Sequence, residues 1–187
     1  MNVKTVCLRD GSSIEVRPAR MSDGSGMFQM ERAIIEKGFG IVKDLDDLGT
    51  VAEYENRLKQ RLEANPDNAC YAVAELRGLI VGDCQIERLS PARVRHVAIV
   101  SVGVHPSHQA IGIGRGLMDY VLAWARTVRN PPIVRIELGV QSGNYPAQRL
   151  YHSLGFLREG VRRRYIRHPD GSEHDDYIMT YFIDGAH

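Results

Sequence analysis

The sequence predicts a single α/β (α+β) domain over residues 1–187, with a mixed, mainly antiparallel and twisted sheet of about seven strands flanked by helices. Three observations carry this prediction. β-rich segments joined by short turns come early, a strand–helix–strand–helix unit follows, and a hairpin comes last. No linker, internal repeat or low-complexity segment divides the chain, and 187 residues suffice for one hydrophobic core.

The N-terminal third combines one strand pair with two helices. Residues 13–18 alternate as a strand, and an Asp-Gly turn lets residues 6–8 pair with it. Two segments with apolar residues at helical spacing follow, at 26–38 and at 51–65, where an Asn-Pro pair ends the second helix. The segment between them, 39–50, has no period and is predicted to be a loop.

In the remaining two thirds of the chain, the sequence pattern predicts six strands and two helices. A helix is expected over 114–128 before two prolines, and a shorter one ends at Gly155. The predicted strands are 70–76, 79–87, 95–104, 133–140, 160–168 and 175–183.

Composition narrows the class of protein. A formal net charge of +1 gives no reason to expect nucleic acid or a membrane as partner. The three cysteines form no CxxC pair, which argues against a disulfide framework and a zinc site and suits a reducing compartment. No signal peptide or membrane span is recognisable, so we expect a cytoplasmic protein without a metal.

The stretch Val104–Met118, "VHPSHQAIGIGRGLM", places glycines directly before a helix. No Gly-Lys-Ser/Thr occurs, which excludes a P-loop, and Leu117 stands where a dinucleotide fingerprint needs its third glycine. The pattern Gln/Arg-x-x-Gly-x-Gly/Ala after a strand ending in Val-x-Pro fits at Gln109, Gly112 and Gly114. At these residues the chain resembles the GNAT N-acetyltransferase superfamily, in which this loop binds the pyrophosphate of coenzyme A.

A second motif strengthens the resemblance. "NYPAQRLYHSLGF" begins about 30 residues later and is similar to the family's second motif, with matches at Asn144, Ala147, Leu150, Tyr151, Leu154, Gly155 and Phe156. The resemblance implies an acetyl-CoA-dependent N-acetyltransferase with a splayed parallel strand pair that holds acyl-CoA. The C-terminal part is similar to the branch that acetylates free amino acids and other small amines.

The resemblance also implies which residues bind the cofactor. Backbone groups of the strand before the loop would pair with pantetheine, and a bulge at Gly103 would splay that strand from its neighbour. Helix-start N–H groups freed of Cβ atoms would accept the pyrophosphate. Ala110 departs from the usual glycine, which is tolerable if its φ is negative. The implied set is Val102, Gly103, Val104, Gln109, Ala110, Ile111, Gly112, Ile113, Gly114, Arg115, Asn144 and Tyr151.

Two of these residues have specific implied roles. Asn144 matches the position that hydrogen-bonds the pantetheine arm, and a turn residue or helix cap is its alternative interpretation. Tyr151 matches the position that protonates the departing CoA thiolate, and its alternative is a packing aromatic. No cysteine lies near either motif in sequence, which favours direct attack of the amine on the thioester.

Three residues are candidates to orient a water that takes the amine proton: Glu87, His96 and Glu137. Each also has an ordinary structural interpretation. The run Arg162–Arg164 is interpreted as a solvated strand face, with its first and last arginine on the same side, and Asp175-Asp176 as a surface pair or an attraction for amines.

The sequence leaves the identity of the acetyl acceptor open. A small primary amine, such as a free amino acid, is the leading prediction, and a protein N-terminus or lysine is the second. The third alternative is a non-catalytic acyl-CoA-binding module. A homodimer is expected only because the family often forms one.

Overall fold

A computed structural model describes residues 2–38, 40–63 and 67–183. Within these ranges eight strands form one sheet, in the order β1-β2-β3-β4-β5-β6-β8-β7. The strands are β1 (Lys4–Cys7), β2 (Ser13–Pro18), β3 (Ala69–Leu76), β4 (Leu79–Arg88), β5 (Val97–Val104), β6 (Arg135–Gln141), β7 (Leu157–Arg167) and β8 (Glu173–Phe182). Neighbouring strands are antiparallel, except that β5 and β6 are parallel. The predicted fold class is confirmed, with eight strands instead of about seven; the single domain over 1–187 stays a prediction.

Helices cover both faces of the sheet. They are α1 (Gly24–Lys37), α2 (Leu45–Leu48), α3 (Val51–Leu62), α4 (Ile113–Ala125) and α5 (Tyr145–Ser153), and short 3-10 turns lie at Met21–Asp23, Ala92–Val94 and Pro106–His108. None of the helices in the described ranges is long and apolar enough to cross a bilayer.

The hydrophobic core lies mainly between the sheet and α4. Leu117, Met118 and Val121 of α4 are buried against Val100 and Ile136 of the central strands. A second cluster lies on the opposite face, where α1 and α3 pack over β3. Because strand residues alternate between faces, the central strands β4, β5 and β6 supply apolar side chains mainly to the α4 face, and most of their polar side chains lie on the other. We call this second surface the polar face.

A buried ion-pair cluster holds the start of α1 to the sheet. Arg17 of β2 is 5% exposed and donates to Asp23 at 2.7 Å and to Glu75 of β3 at 2.7 Å. Two carboxylates around one guanidinium satisfy a charge that would otherwise be costly to bury.

The predicted loop at 39–50 is wrong at four residues, because α2 forms inside it. Asp44 caps this helix by accepting from the Asp47 N–H at 3.0 Å, and Asp47 accepts from the Asp44 N–H at 3.0 Å. This reciprocal capping stabilises one turn that has no apolar period to reveal it. Phe39 and the predicted Asn-Pro stop at 65–66 lie outside the described residues.

Other predicted bounds shift by a few residues. Helix α4 ends at Ala125 instead of residue 128, and β6 begins at Arg135 instead of residue 133. The prediction for the arginine run is wrong in its alternation, because the β7–β8 register shifts between Arg162 and Ile166, and Arg164 has a φ of +52°. From Arg162 to Ile166 β7 has two residues more than the facing part of β8, and these residues together with the left-handed Arg164 interrupt the two-residue period.

Candidate active site

The parallel pair β5–β6 opens at its C-terminal side. Val97, Ala98 and Ile99 pair with Arg135, Ile136 and Glu137, and the two strands are no longer paired beyond this point. From residue 100 onward, β4 is the only strand of the described residues that pairs with β5. The predicted splay is present and leaves a slot between β5 and β6.

The main chain of β5 presents polar groups to this slot. The N–H of His105 donates to Val81 O on β4, at 2.9 Å. Because main-chain groups of alternate strand residues point to opposite edges, those of Val102 and Val104 point toward β6, as the sequence predicts. The side chains of both valines pack against the core on the α4 face.

The predicted bulge at Gly103 is wrong. The β4–β5 register is continuous from Gly82–Val104 to Arg88–Ala98, with Asp83 opposite Gly103. The glycine is required by a close approach instead. A Cβ at residue 103 would lie 2.8 Å from Oδ1 of Asp83 and 3.0 Å from Cδ1 of Ile34.

A sharp turn at the end of the glycine loop starts α4. Gly112 has a φ of +111°, which disfavours any residue with a Cβ, and none of the side chains in the described ranges caps the helix. The first helical hydrogen bond runs from Gly116 N to Gly112 O at 3.1 Å. The N–H groups of Ile113, Gly114 and Arg115 therefore have no partner within the helix, and the positive end of its dipole lies beside the slot.

The loop residues before Gly112 fix its path. Gln109 donates through Nε2 to Val104 O at 3.1 Å, and Ile111 O accepts from Arg9 N at 3.0 Å. Ala110 has a φ of +65°, so the assumption of a negative φ there is wrong. The Arg115 guanidinium donates to Ser153 Oγ at 2.6 Å, which joins α4 to α5. Because the guanidinium is bound in this way, the group that residue 115 offers to an anion is its backbone N–H.

Helix α5 holds the two residues of the second motif. The side chain of Asn144 caps the helix by accepting from Ala147 N at 3.2 Å. The alternative interpretation of Asn144, as a helix cap, is therefore confirmed. Tyr151 is buried on the α4 face, and burial raises the pKa of its phenol. A phenol is protonated at neutral pH already at its ordinary pKa of about 10, as a proton donor requires, and the raised pKa makes it a weaker acid. The roles in binding pantetheine and protonating the thiolate stay predictions.

The three proton-acceptor candidates of the sequence do not come together at the slot. Glu87 and Glu137 flank Ile99 on the polar face, at the last residue of β5 that is still paired with β6. Glu87 accepts from the Tyr71 hydroxyl at 2.6 Å, and Glu137 accepts from Arg135 at 2.5 Å. His96 is exposed before β5, about 23 Å along the strand from the residue opposite Asp83.

Asp83 is the carboxylate that sequence reasoning missed. It lies on the polar face of β4, four residues or about 13 Å along the strand from Glu87, beside the open part of β5. Burial, followed by the negative charge of Glu31, raises the pKa of Asp83 to about 7. Its position in an alternating strand was the available signal, but no motif marks it.

A second carboxylate lies over the other splayed strand. A Cβ at Gly139 of β6 would lie 2.9 Å from Oδ2 of Asp176 on β8 and 2.7 Å from Nη2 of Arg162. Asp176 is 3% exposed and forms an ion pair with Arg162 at 2.5 Å. Asp175 accepts from Arg164 N at 2.8 Å, which ties it to the β7–β8 hairpin.

The segment after α1 contacts the far side of the slot. Gly40 N donates to Oε1 of Gln141 at 3.2 Å, and Nε2 of Gln141 lies 2.8 Å from Nε2 of His168. Gln141 is buried at the end of β6, and His168 follows β7. This side chain therefore joins the α1–α2 segment to the last hairpin across the polar face.

A sheet that opens at one parallel pair, with an uncapped, glycine-rich helix start beside the opening, defines the class of acyl-CoA-dependent transferases. The chain belongs to the acetyltransferase (GNAT) family, whose model matches residues 40–156. This confirms the family and the enzyme class that the two motifs indicate.

Several known proteins are similar to this chain. N-alpha-acetyltransferase RimI of Mycobacterium tuberculosis is 38% identical over 104 residues, which are 56% of this chain and 61% of RimI. An N-alpha-acetyltransferase of Sulfurisphaera tokodaii is 27% identical over 180 residues, 92% of this chain and 95% of that protein. A GNAT acetyltransferase from Streptococcus pneumoniae has a TM-score of 0.82 at 26% identity, over 91% of this chain and 99% of its own. The yncA protein of Salmonella typhimurium, solved with acetyl-CoA, has the same fold, with a TM-score of 0.79 at 24% identity over 92% and 95%.

Proposed function

We propose that this protein transfers the acetyl group of acetyl-CoA to the primary amine of a small molecule, such as a free amino acid, by direct attack within a ternary complex. The geometry at the start of α4 is the observation that supports acetyl-CoA as the cosubstrate. Three adjacent backbone N–H groups without helical partners, preceded by a glycine with a φ of +111°, suit the pyrophosphate of coenzyme A. Acetyl-CoA supplies an activated acetyl thioester there.

The slot residues hold and orient this cosubstrate. Main-chain groups of Val102 and Val104 at the unpaired edge of β5 offer a strand-like partner to the pantetheine amides. Tyr151, whose phenol is protonated at neutral pH, gives its proton to the leaving thiolate. The cap at Asn144 positions α5, which carries this tyrosine.

The arrangement of Cys84 supports direct transfer over a covalent enzyme. This cysteine is on the α4 face of β4, in the same hydrophobic cluster as Tyr151, so it lies closer to the second motif than the sequence indicates. However, Cys84 is 1% exposed, and burial raises the pKa of its thiol. The thiolate that a nucleophile needs is therefore disfavoured.

The bridge through Gln141 favours a small acceptor. Its contacts with Gly40 and His168 place backbone and side chains across the polar face, where an extended peptide would need an open groove. The alternative acceptor, a protein N-terminus, is favoured by the names of relatives such as RimI and the Sulfurisphaera enzyme. The homodimer, the cytoplasmic location and the absence of a nucleic-acid partner stay predictions.

A thiol-release assay with acetyl-CoA tests the proposal. The acceptors are free amino acids, polyamines, aminoglycosides and peptides with a free N-terminal alanine. We expect turnover with a small amine and a large loss in Tyr151→Phe, whereas Tyr145→Phe, an exposed change on the same helix, keeps the wild-type rate. Turnover of peptides alone selects the protein N-terminus. Acetyl-CoA binding without turnover of any acceptor supports a non-catalytic binding module and overturns the proposal.

A further inference from the structure

Five carboxylates lie on the polar face of β4, β6, β7 and β8, and four of them are bound to a neighbouring side chain. Glu87 accepts from Tyr71, and Glu137 and Glu159 accept from Arg135. Asp176 is paired with Arg162. Asp83 has no ion-pair partner within 4 Å and no hydrogen bond to another side chain in the ranges that the structure describes.

An unpaired carboxylate in a partly buried position is costly, and this cost indicates a functional role. Asp83 lies between β5 and α1, because its Oδ1 and Cδ1 of Ile34 both approach the position that a Cβ of Gly103 would occupy. Its side chain thus covers the open part of β5, whose main chain faces the slot. Of the five carboxylates it is the one that is unpaired beside the open part of β5, where we expect the acceptor to arrive.

Asp83 and Tyr151 act from opposite faces of the sheet. Cys84, the residue after Asp83, is buried on the α4 face in the same hydrophobic cluster as Tyr151. Adjacent strand residues point to opposite faces, so Asp83 points to the polar face. A thioester in the slot would have the phenol on one side and the carboxylate on the other, the order that attack by an amine and departure of a thiolate requires.

Resting on the proposed function, we propose that Asp83 is the general base, which accepts a proton from the attacking amine directly or through one water. The amine nitrogen forms a bond to the acetyl carbon as the bond from that carbon to sulfur breaks. Two protons leave the ammonium nitrogen in the whole reaction. Asp83 takes one and releases it to solvent, and the other replaces the proton that Tyr151 gives to the CoA sulfur.

Charged groups on every packed element set the titration of Asp83. Glu31 of α1 raises its pKa, and Lys43, after α1, and Arg61 of α3 lower it. Tyr54 of α3 also faces this group, since burial and the charge of Asp83 raise the pKa of its phenol. The negative charge shared with Glu31 also attracts a cationic amine. The resulting pKa of about 7 suits a base at neutral pH.

The test is the pH profile of kcat/KM with the best acceptor, whether a small amine or a peptide. For the wild type we expect a limb that titrates near pH 7. Asp83→Asn should lose this limb and about 100-fold or more of kcat/KM at pH 7, a usual contribution of a general base. Asp46→Asn, an exposed change on α2, should keep both.

Changes of the charges near Asp83 test the assignment further, because a purely structural role of Asp83 would not make the pH of the kcat/KM limb depend on them. Glu31→Gln should shift the limb to lower pH, because it removes a negative charge, and Lys43→Met should shift it to higher pH. An unaltered profile in Asp83→Asn, or the loss of the limb in Glu87→Gln instead, overturns the assignment while the proposed function stands. A wild-type protein that acetylates no amine overturns both.

Discussion

Asp83 and Gly103 form a cross-strand pair in which the carboxylate Oδ1 lies 2.8 Å from the point that a Cβ of residue 103 would occupy. Gly103→Ala must therefore displace either this carboxylate or Ile34. We expect kcat/KM for the amine to fall by about tenfold or more, since small misplacements of reacting groups are costly. Gly160→Ala on β7, where the nearest atom to a Cβ is at 3.5 Å, is the matched control. Equal activity of the two variants would contradict this prediction.

The same carboxylate makes stability depend on pH. Its pKa of about 7 in the folded protein exceeds the ordinary value, so the folded state binds more protons between about pH 4 and pH 7, and the free energy of unfolding falls as pH rises through this range. Asp83→Asn lacks this decrease and should be more stable than the wild type at pH 8, by about 1–2 kcal/mol. Thermal unfolding at pH 4 and pH 8 measures the difference. An advantage that is equal at both values would contradict the raised pKa.

Ala110 should gain stability on replacement by glycine. Its φ of +65° costs an L-residue about 1–2 kcal/mol, which outweighs the entropy that glycine loses on folding. Ala110→Gly should raise the free energy of unfolding by about 0.5–1 kcal/mol and Tm by a few degrees. Ala92→Gly, at an alanine outside the left-handed region, should lower both. A lower Tm in Ala110→Gly would show that the loop relaxes without cost.

The ion-pair cluster around Arg17 should be the most sensitive polar site for stability. Asp23→Ala leaves a buried guanidinium with Glu75 as its remaining carboxylate. Loss of one partner of a buried pair costs about 3–5 kcal/mol. Denaturant unfolding of this variant, compared with Asp46→Ala on the surface, measures the loss. A cost below about 1 kcal/mol, the range of exposed pairs, would contradict the buried geometry.

Gln141 should affect the acceptor more than the cosubstrate. Gln141→Leu removes the contacts to Gly40 and His168 but leaves the start of α4 unchanged. We expect KM for the amine to rise severalfold and Kd for acetyl-CoA to stay the same, as measured by initial rates and by calorimetry. Gln29→Leu, on the exposed side of α1, is the control. A change in Kd for acetyl-CoA instead would place Gln141 in the cosubstrate site.

The sequence by itself determined the fold class, the family and the position of the glycine loop. These depend on local patterns: strand alternation, helical periods, and glycines spaced before a helix such as Gly112 and Gly114. The resemblance to the family also implied the main-chain direction of Val102 and Val104, and the strand has that direction.

The tertiary structure alone decided the conformation of Ala110, the reason for Gly103 and the importance of Asp83. Gly103 and Asp83 depend on partners distant in sequence: Asp83 lies 20 residues before Gly103, and Ile34 belongs to α1. Glu87 and Asp83 are alike as residues of one strand face, and only the packing of α1 and the end of the β5–β6 pairing distinguish them. Burial and neighbouring charge set the pKa of a carboxylate, and neither is determined by the residues adjacent to it in the chain.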